Sequence, residues 1–131
     1  MRHLLLIGHA DLAAGVKSAL DLLMGPHDNT CAFGLYEGER ADDLENKITN
    51  WLEPLGSNDE IVVLGDIAGG SPIRMAVKAC ASSGYDGQYV AFGGLNLPMA
   101  IAAIMAIEDE LALDAVRDGI LANGADAVQE V

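Results

Sequence analysis

Leu4-Leu5-Leu6-Ile7-Gly8-His9-Ala10-Asp11 is the stretch from which the rest of the chain can be read. Four consecutive large aliphatic residues closed by a glycine have the character of a strand buried on both faces. From Leu12 onward the apolar spacing becomes helical, so strand, turn and helix form a βα unit of a parallel sheet. In open sheets of this kind, ligands collect beyond the carboxyl ends of the strands. His9 stands at such an end, where an imidazole is either a local hydrogen-bonding group or a reactive centre.

Working outward, the spacing predicts a helix over Leu12–Met24 with Leu12, Val16, Ala19, Leu20 and Leu23 on one face, stopped by Gly25-Pro26. Thr30–Leu35 reads as a second strand and Asp42–Leu52 as a second helix. Leu44, Ile48, Trp51, Leu52 and Leu55 share a side, which makes Trp51 a core residue. Ile61-Val62-Val63-Leu64 is a third strand. It runs into Gly65-Asp66-Ile67-Ala68-Gly69-Gly70-Ser71-Pro72, with Ser71 as helix cap and Pro72 as first helical residue. The helix it opens turns Ile73, Ala76, Val77 and Cys80 inward and ends at Gly84. Tyr89–Phe92 is a fourth strand, and Gly93-Gly94-Leu95-Asn96-Leu97-Pro98 starts a well-buried helix to Met105. A last helix spans Leu111–Ala122 and closes at Asn123-Gly124, leaving Ala125–Val131 as a short edge strand. Strands alternating with helices imply an α/β, doubly wound, mainly parallel sheet.

The 131 residues suit one domain, 1–131, with 51% hydrophobic and 21% charged residues. A formal net charge of -13, with only seven scattered Lys and Arg, argues against nucleic acid and against anionic membrane surfaces. Apolar runs are too short for membrane insertion, and no secretory signal is evident at the N-terminus, which points to the cytoplasm. Cys31 and Cys80 have neither disulfide-framework nor metal-ligand spacing, so no metal is expected. Glu108, Asp109, Glu110, Asp114, Asp118, Asp126 and Glu130, opposed by Arg117, make either a solvated face or a docking patch for a basic protein.

In the strand order 2-1-3-4 the loops leaving strands 1 and 3 meet at the topological switch point, bringing His9 to Asp66. The Asn96-Leu97-Pro98 turn joins the same rim, so three loops converge on one crevice. A neutral imidazole is a nucleophile toward phosphorus, and a carboxylate on its other nitrogen fixes the tautomer and stabilises the developing cation. Gly69, Gly70 and Ser71 would offer amides and a hydroxyl at a helix N-terminus, suited to phosphoryl oxygens. Each residue also has a structural use: Asp66 can brace its loop, Ser71 and Asn96 can cap helices, and the two glycines can serve a tight turn. His3, within the first strand, and His27, in a turn, read as structural or solvent-exposed.

The strand-Gly8-His9 start with Leu12-Ala13-Ala14-Gly15 and Ser18-Ala19, the Asp66-Ile67-Ala68-Gly69-Gly70-Ser71-Pro72 segment, and Leu95-Asn96-Leu97-Pro98-Met99 together carry a resemblance. Over nearly its whole length the chain resembles the enzyme IIA domain of the mannose family of the bacterial phosphoenolpyruvate-dependent sugar phosphotransferase system. The resemblance implies a phosphotransferase in which His9 accepts a phosphoryl group from the phosphohistidine of HPr and passes it to an enzyme IIB domain for carbohydrate uptake. It implies that Asp66 orients the imidazole, that Ser71 binds phosphate, and that no metal or organic cofactor takes part. It also implies a homodimer in which an antiparallel edge strand, at Ala125–Val131, is exchanged between subunits, covering two sheet edges at once. The chain departs from the family pattern at Gly8 and Ala10, where Thr or Ser and Gly are common. It departs again at Arg74, where Asn is common; Arg74 is either a rim contact to phosphate or an acidic partner, or a surface residue. Because the chain ends soon after the last strand, its enzyme IIB is expected to be separate.

Three other readings share the fold class. A receiver domain places an acceptor Asp where Asp66 stands, but wants an acidic pair after strand 1 and a lysine after a fifth strand. A flavin or nucleotide module wants a Ser/Thr-rich phosphate loop where His9 lies. A regulatory phosphocarrier, relaying phosphate as a metabolic signal without feeding a permease, has the same sequence signature.

Overall fold

The computed structural model describes residues 1–131. Its elements follow in the order β1 (Arg2–His9), α1 (Leu12–Met24), β2 (Thr30–Leu35), α2 (Ala41–Leu52), β3 (Glu60–Gly65), α3 (Ser71–Cys80), β4 (Tyr89–Phe92), α4 (Leu97–Glu108) and α5 (Leu113–Ala125). The four strands form one sheet in the order β2-β1-β3-β4, and every pairing is parallel.

Side chains alternate across a strand, so the apolar runs of the two central strands feed two separate cores. Leu4 and Leu6 of β1 with Val62 and Leu64 of β3 face α1, α4 and α5, where Ala13, Leu20, Ala100, Ala103, Ile104, Val116 and Ile120 pack against them. Leu5, Ile7, Ile61 and Val63 point the other way, onto Leu44, Ile48 and Leu52 of α2 and Ile73, Ala76 and Ala79 of α3. Each such aliphatic side chain contributes about 1.5–3 kcal/mol by leaving water. That double demand is why β1 and β3 are continuously apolar. Trp51 closes the second core edge-on to His3 and Phe33, with ring centroids 6.0 and 6.4 Å away.

Four local expectations change. The buried stripe of α1 runs through Ala13 and Leu20, flanked by Val16 and Met24, whereas Leu12 and Leu23 are exposed. The face that meets the sheet is rotated by only part of one residue step, so Val16 and Leu20 stay inward while Leu12 and Leu23 turn out. Gly70, not Ser71, occupies the cap position of α3, and Ser71 is its first helical residue. Beyond Cys80 the chain makes one wider helical turn over Ala81–Tyr85, where Gly84 adopts a left-handed φ of 91°. Lastly, α5 does not close at Asn123-Gly124. The Asn123 side chain donates back to the Gly119 carbonyl, and Gly124 lets α5 approach α4, since a Cβ there would stand 3.2 Å from that of Met99. With α5 reaching Ala125, residues 126–131 add no strand to this chain's own sheet, and β4 is left as an open edge.

Candidate functional site

The carboxyl ends of β1 and β3 lie side by side, and Asp66, one residue past β3, turns its carboxylate under the end of β1. Its Oδ2 accepts from the His9 backbone amide at 2.8 Å and lies 2.7 Å from the His9 ring Nδ1. Its Oδ1 accepts from the Ile67 amide at 2.8 Å. Burial alone would raise the Asp66 carboxyl, but the His9 amide, the His9 ring and the Ile67 amide outweigh it and hold the group below its usual value. An ionised carboxylate only accepts, so the proton between Asp66 and Nδ1 belongs to the ring, and Nε2 carries the lone pair. The side chain of Asp66 is 9% exposed and that of His9 48% exposed.

Small residues make this geometry possible. A Cβ on Gly8 would come within 3.1 Å of Asp66 Oδ2, and one on Gly70 within 3.3 Å of the His9 ring. Directly after His9, Ala10 takes a left-handed φ of 48°, which costs a residue with a Cβ about 1–2 kcal/mol. The Ala10 amide donates to the Leu35 carbonyl at 2.9 Å, and its own carbonyl fills the space where Gly34 lacks a side chain. On the other side, the Gly94 and Leu95 amides donate to the Asp66 and Gly65 carbonyls at 2.9 Å, tying the exit of β4 to that of β3.

The structure therefore brings His9, Asp66 and Gly70 together at one rim, with Ser71 following as the first residue of α3. Gly70 departs from its expected use, because its amide donates to the Ile67 carbonyl at 2.9 Å and closes the turn. The Gly69 and Ser71 amides have no backbone partner. Asn96 is occupied at both ends of its side chain: it caps α4 by accepting from the Met99 amide at 2.9 Å and donates to the Gly124 carbonyl at 3.0 Å. Arg74 is exposed on α3 and borders a groove of about 510 Å³ with Ala68, Met75, Lys78 and Gly93. His9 lines none of the concavities; its ring stands at the surface instead of within a crevice. His3 is buried against Asp59, and His27 bridges the Gly25 carbonyl and Glu108, both at the opposite end of the sheet.

A model of the family EIIA-man, described as the fructose IIA component of the phosphotransferase system (PTS), matches residues 3–121. The chain belongs to this family. As an EIIA-man chain it is a phosphocarrier component of the sugar phosphotransferase system. It is 26% identical over 113 residues to a fructose-specific EIIA component of Bacillus subtilis (strain 168), covering 86% of this chain and 75% of that protein. It is 27% identical over 130 residues to the mannose-specific EIIAB component of Escherichia coli (strain K12), covering 93% of this chain but only 39% of that longer protein. Among solved structures, an EIIA component from Streptococcus agalactiae superimposes with a TM-score of 0.87 at 20% identity, covering 99% of this chain and 97% of that one. A mannose/sorbose-specific IIA subunit from Enterococcus faecalis gives 0.85 at 24% identity, covering 99% and 94%. The two establish that the EIIA-man chain shares their fold.

Residues that sequence reasoning passed over are Gly34 and Tyr36. Gly34, a glycine inside a strand, was the available signal, since such a residue often marks close approach of another backbone. Tyr36 left no pattern in the sequence.

Proposed function

We propose that residues 1–131 act as one EIIA domain in the cytoplasm, carrying a phosphoryl group on His9 between HPr and an enzyme IIB for carbohydrate uptake. The observation that carries this reading is the pairing of a half-exposed imidazole with a nearly buried, ionised carboxylate. A donor that is itself a protein needs the acceptor ring at the surface, and His9 stands there. In the forward step the Nε2 lone pair attacks the phosphorus of phospho-HPr, and the donor's N–P bond breaks as the new N–P bond forms. The His9 ring keeps the Nδ1 proton and becomes cationic, and Asp66 balances that charge. The Gly69 and Ser71 amides and the Ser71 hydroxyl, at the start of α3, supply donors for the phosphoryl oxygens. Arg74 and Asn96 lie further along the rim, Arg74 as a partner contact. Transfer to enzyme IIB reverses the same bond exchange.

In the homodimer proposed here, residues 126–131 of each copy pair antiparallel with the partner's sheet. An unpaired β4 edge and a tail with no strand of its own to join support this arrangement.

The test is incubation with enzyme I, HPr and phosphoenolpyruvate, followed by assay for acid-labile, alkali-stable phosphate. Wild-type protein is expected to take up label and His9→Ala to take up none. Label persisting in His9→Ala would refute the site, and an unlabelled wild type would refute the function.

A further inference from the structure

Across the turn that follows His9, the Tyr36 hydroxyl donates to the Asp11 carboxylate at 2.8 Å. We propose that Tyr36 is a positioning residue for His9, strapping the Ala10-Asp11 turn to the end of β2 so that the imidazole stays in register with Asp66. The inference rests on the phosphocarrier reading of His9.

The turn needs holding. Ala10 has a φ of 48°, a conformation from which a residue with a Cβ relaxes when it is released. Two ties reach this turn from β2: the Ala10 amide bond to the Leu35 carbonyl and the Tyr36 bond to Asp11. Tyr36 is itself anchored, because its amide donates to Glu39 Oε1 at 3.0 Å and Glu39 Oε2 is paired with Lys47 of α2 at 2.8 Å. A line of polar contacts thus runs from α2 to the residue next but one to His9. Asp11 occupies the cap position of α1 and makes no side-chain cap bond there, so its carboxylate serves the strap. The bond to Asp11 also raises the Tyr36 phenol above its ordinary value.

Phosphorylation rates from phospho-HPr, measured for wild type, Tyr36→Phe, Ala10→Gly and the double variant, test this. Tyr36→Phe loses one hydrogen bond and is expected to lower the maximal rate about three- to tenfold, with KM for phospho-HPr unchanged. Glycine adopts the left-handed turn without strain, so in the Ala10→Gly background the same substitution should cost less than about twofold. The His9 imidazole 15N and 1H resonances should shift in Tyr36→Phe and shift much less when it is added to Ala10→Gly. A wild-type rate in Tyr36→Phe, a raised KM at unchanged maximal rate, equal losses in both backgrounds, or unmoved His9 resonances would each overturn the strap. The resonances need no phosphoryl donor. A wild type that takes no label therefore sinks the phosphocarrier reading, while the spectra still decide the strap.

Discussion

At the scale of single residues, the proposed chemistry depends on one oxygen, Asp66 Oδ2, which contacts both the backbone amide and the ring of His9. Asp66→Asn keeps the shape but loses the charge opposite the imidazolium. The expected outcome is a phosphorylation rate lower by about ten- to hundredfold, the equivalent of a charged hydrogen bond worth about 1.5–3 kcal/mol. Initial rates with phospho-HPr measure it. A second carboxylate, Asp59, works at the far end of the sheet. The His3 ring first, then the N-terminal amine and the Gly56 amide, hold its carboxyl down to about 2 against the opposing effect of burial. Because the folded-state value is depressed, the stabilisation is present above the ordinary value of 3.8 and is lost as pH falls toward 2. Asp59→Asn should therefore cost on the order of 1 kcal/mol at pH 7, after solvent screening, and nothing below about pH 2. Urea midpoints across that range would show the two curves converging.

At the scale of elements, the loops of the rim are positioned by close approaches between backbones. Gly34 of β2 is the tightest, since any Cβ there would occupy the place of the Ala10 carbonyl and stand 3.1 Å from Tyr36 Cε2. Gly34→Ala is expected to destabilise the chain by about 1–3 kcal/mol, as overpacking does, and to slow phosphorylation by displacing the turn after His9. Urea denaturation with parallel rate measurements checks both. The elements themselves were legible in the sequence. Continuous apolar runs at Leu4–Ile7 and Ile61–Leu64 read as strands covered on both faces, and the doubly wound order 2-1-3-4, taken for alternating strands and helices, brings His9 to Asp66 as the structure has it. What stayed hidden depended on contacts between elements. Periodicity places an apolar stripe on α1 but does not say which of two adjacent stripes the sheet will meet, so Leu12 and Leu23 were assigned inward. An Asn-Gly pair signals a stop, yet α5 continues through it because α4 needs a residue without a side chain at Gly124. Tyr36 and Gly70 act through a single hydrogen bond and a gap beside a ring, neither of which a one-dimensional pattern records.

At the scale of the whole molecule, the sheet has β2 at one edge and β4 at the other, and residues 126–131 extend from α5 without pairing to either. Val128 is among the exposed large hydrophobic residues of this tail. In the proposed dimer the tail covers a partner's sheet edge, so deletion of residues 126–131 is expected to convert the dimer to monomer while the His9–Asp66 pair persists. Light scattering coupled to gel filtration, with the label assay beside it, gives both readings. A truncated chain that remains dimeric would show that another surface joins the copies.

The contrast between a half-exposed His9 ring and a nearly buried Asp66 has a kinetic consequence. If donor and acceptor proteins both reach the phosphoryl group through the exposed His9 ring, as the proposed function has it, they take turns on the same ground. Turnover through this chain should then follow a double-displacement scheme, with parallel lines in double-reciprocal plots. Dephosphorylated donor in excess should compete with the acceptor for the loaded imidazole, throttling delivery when the upstream supply runs low.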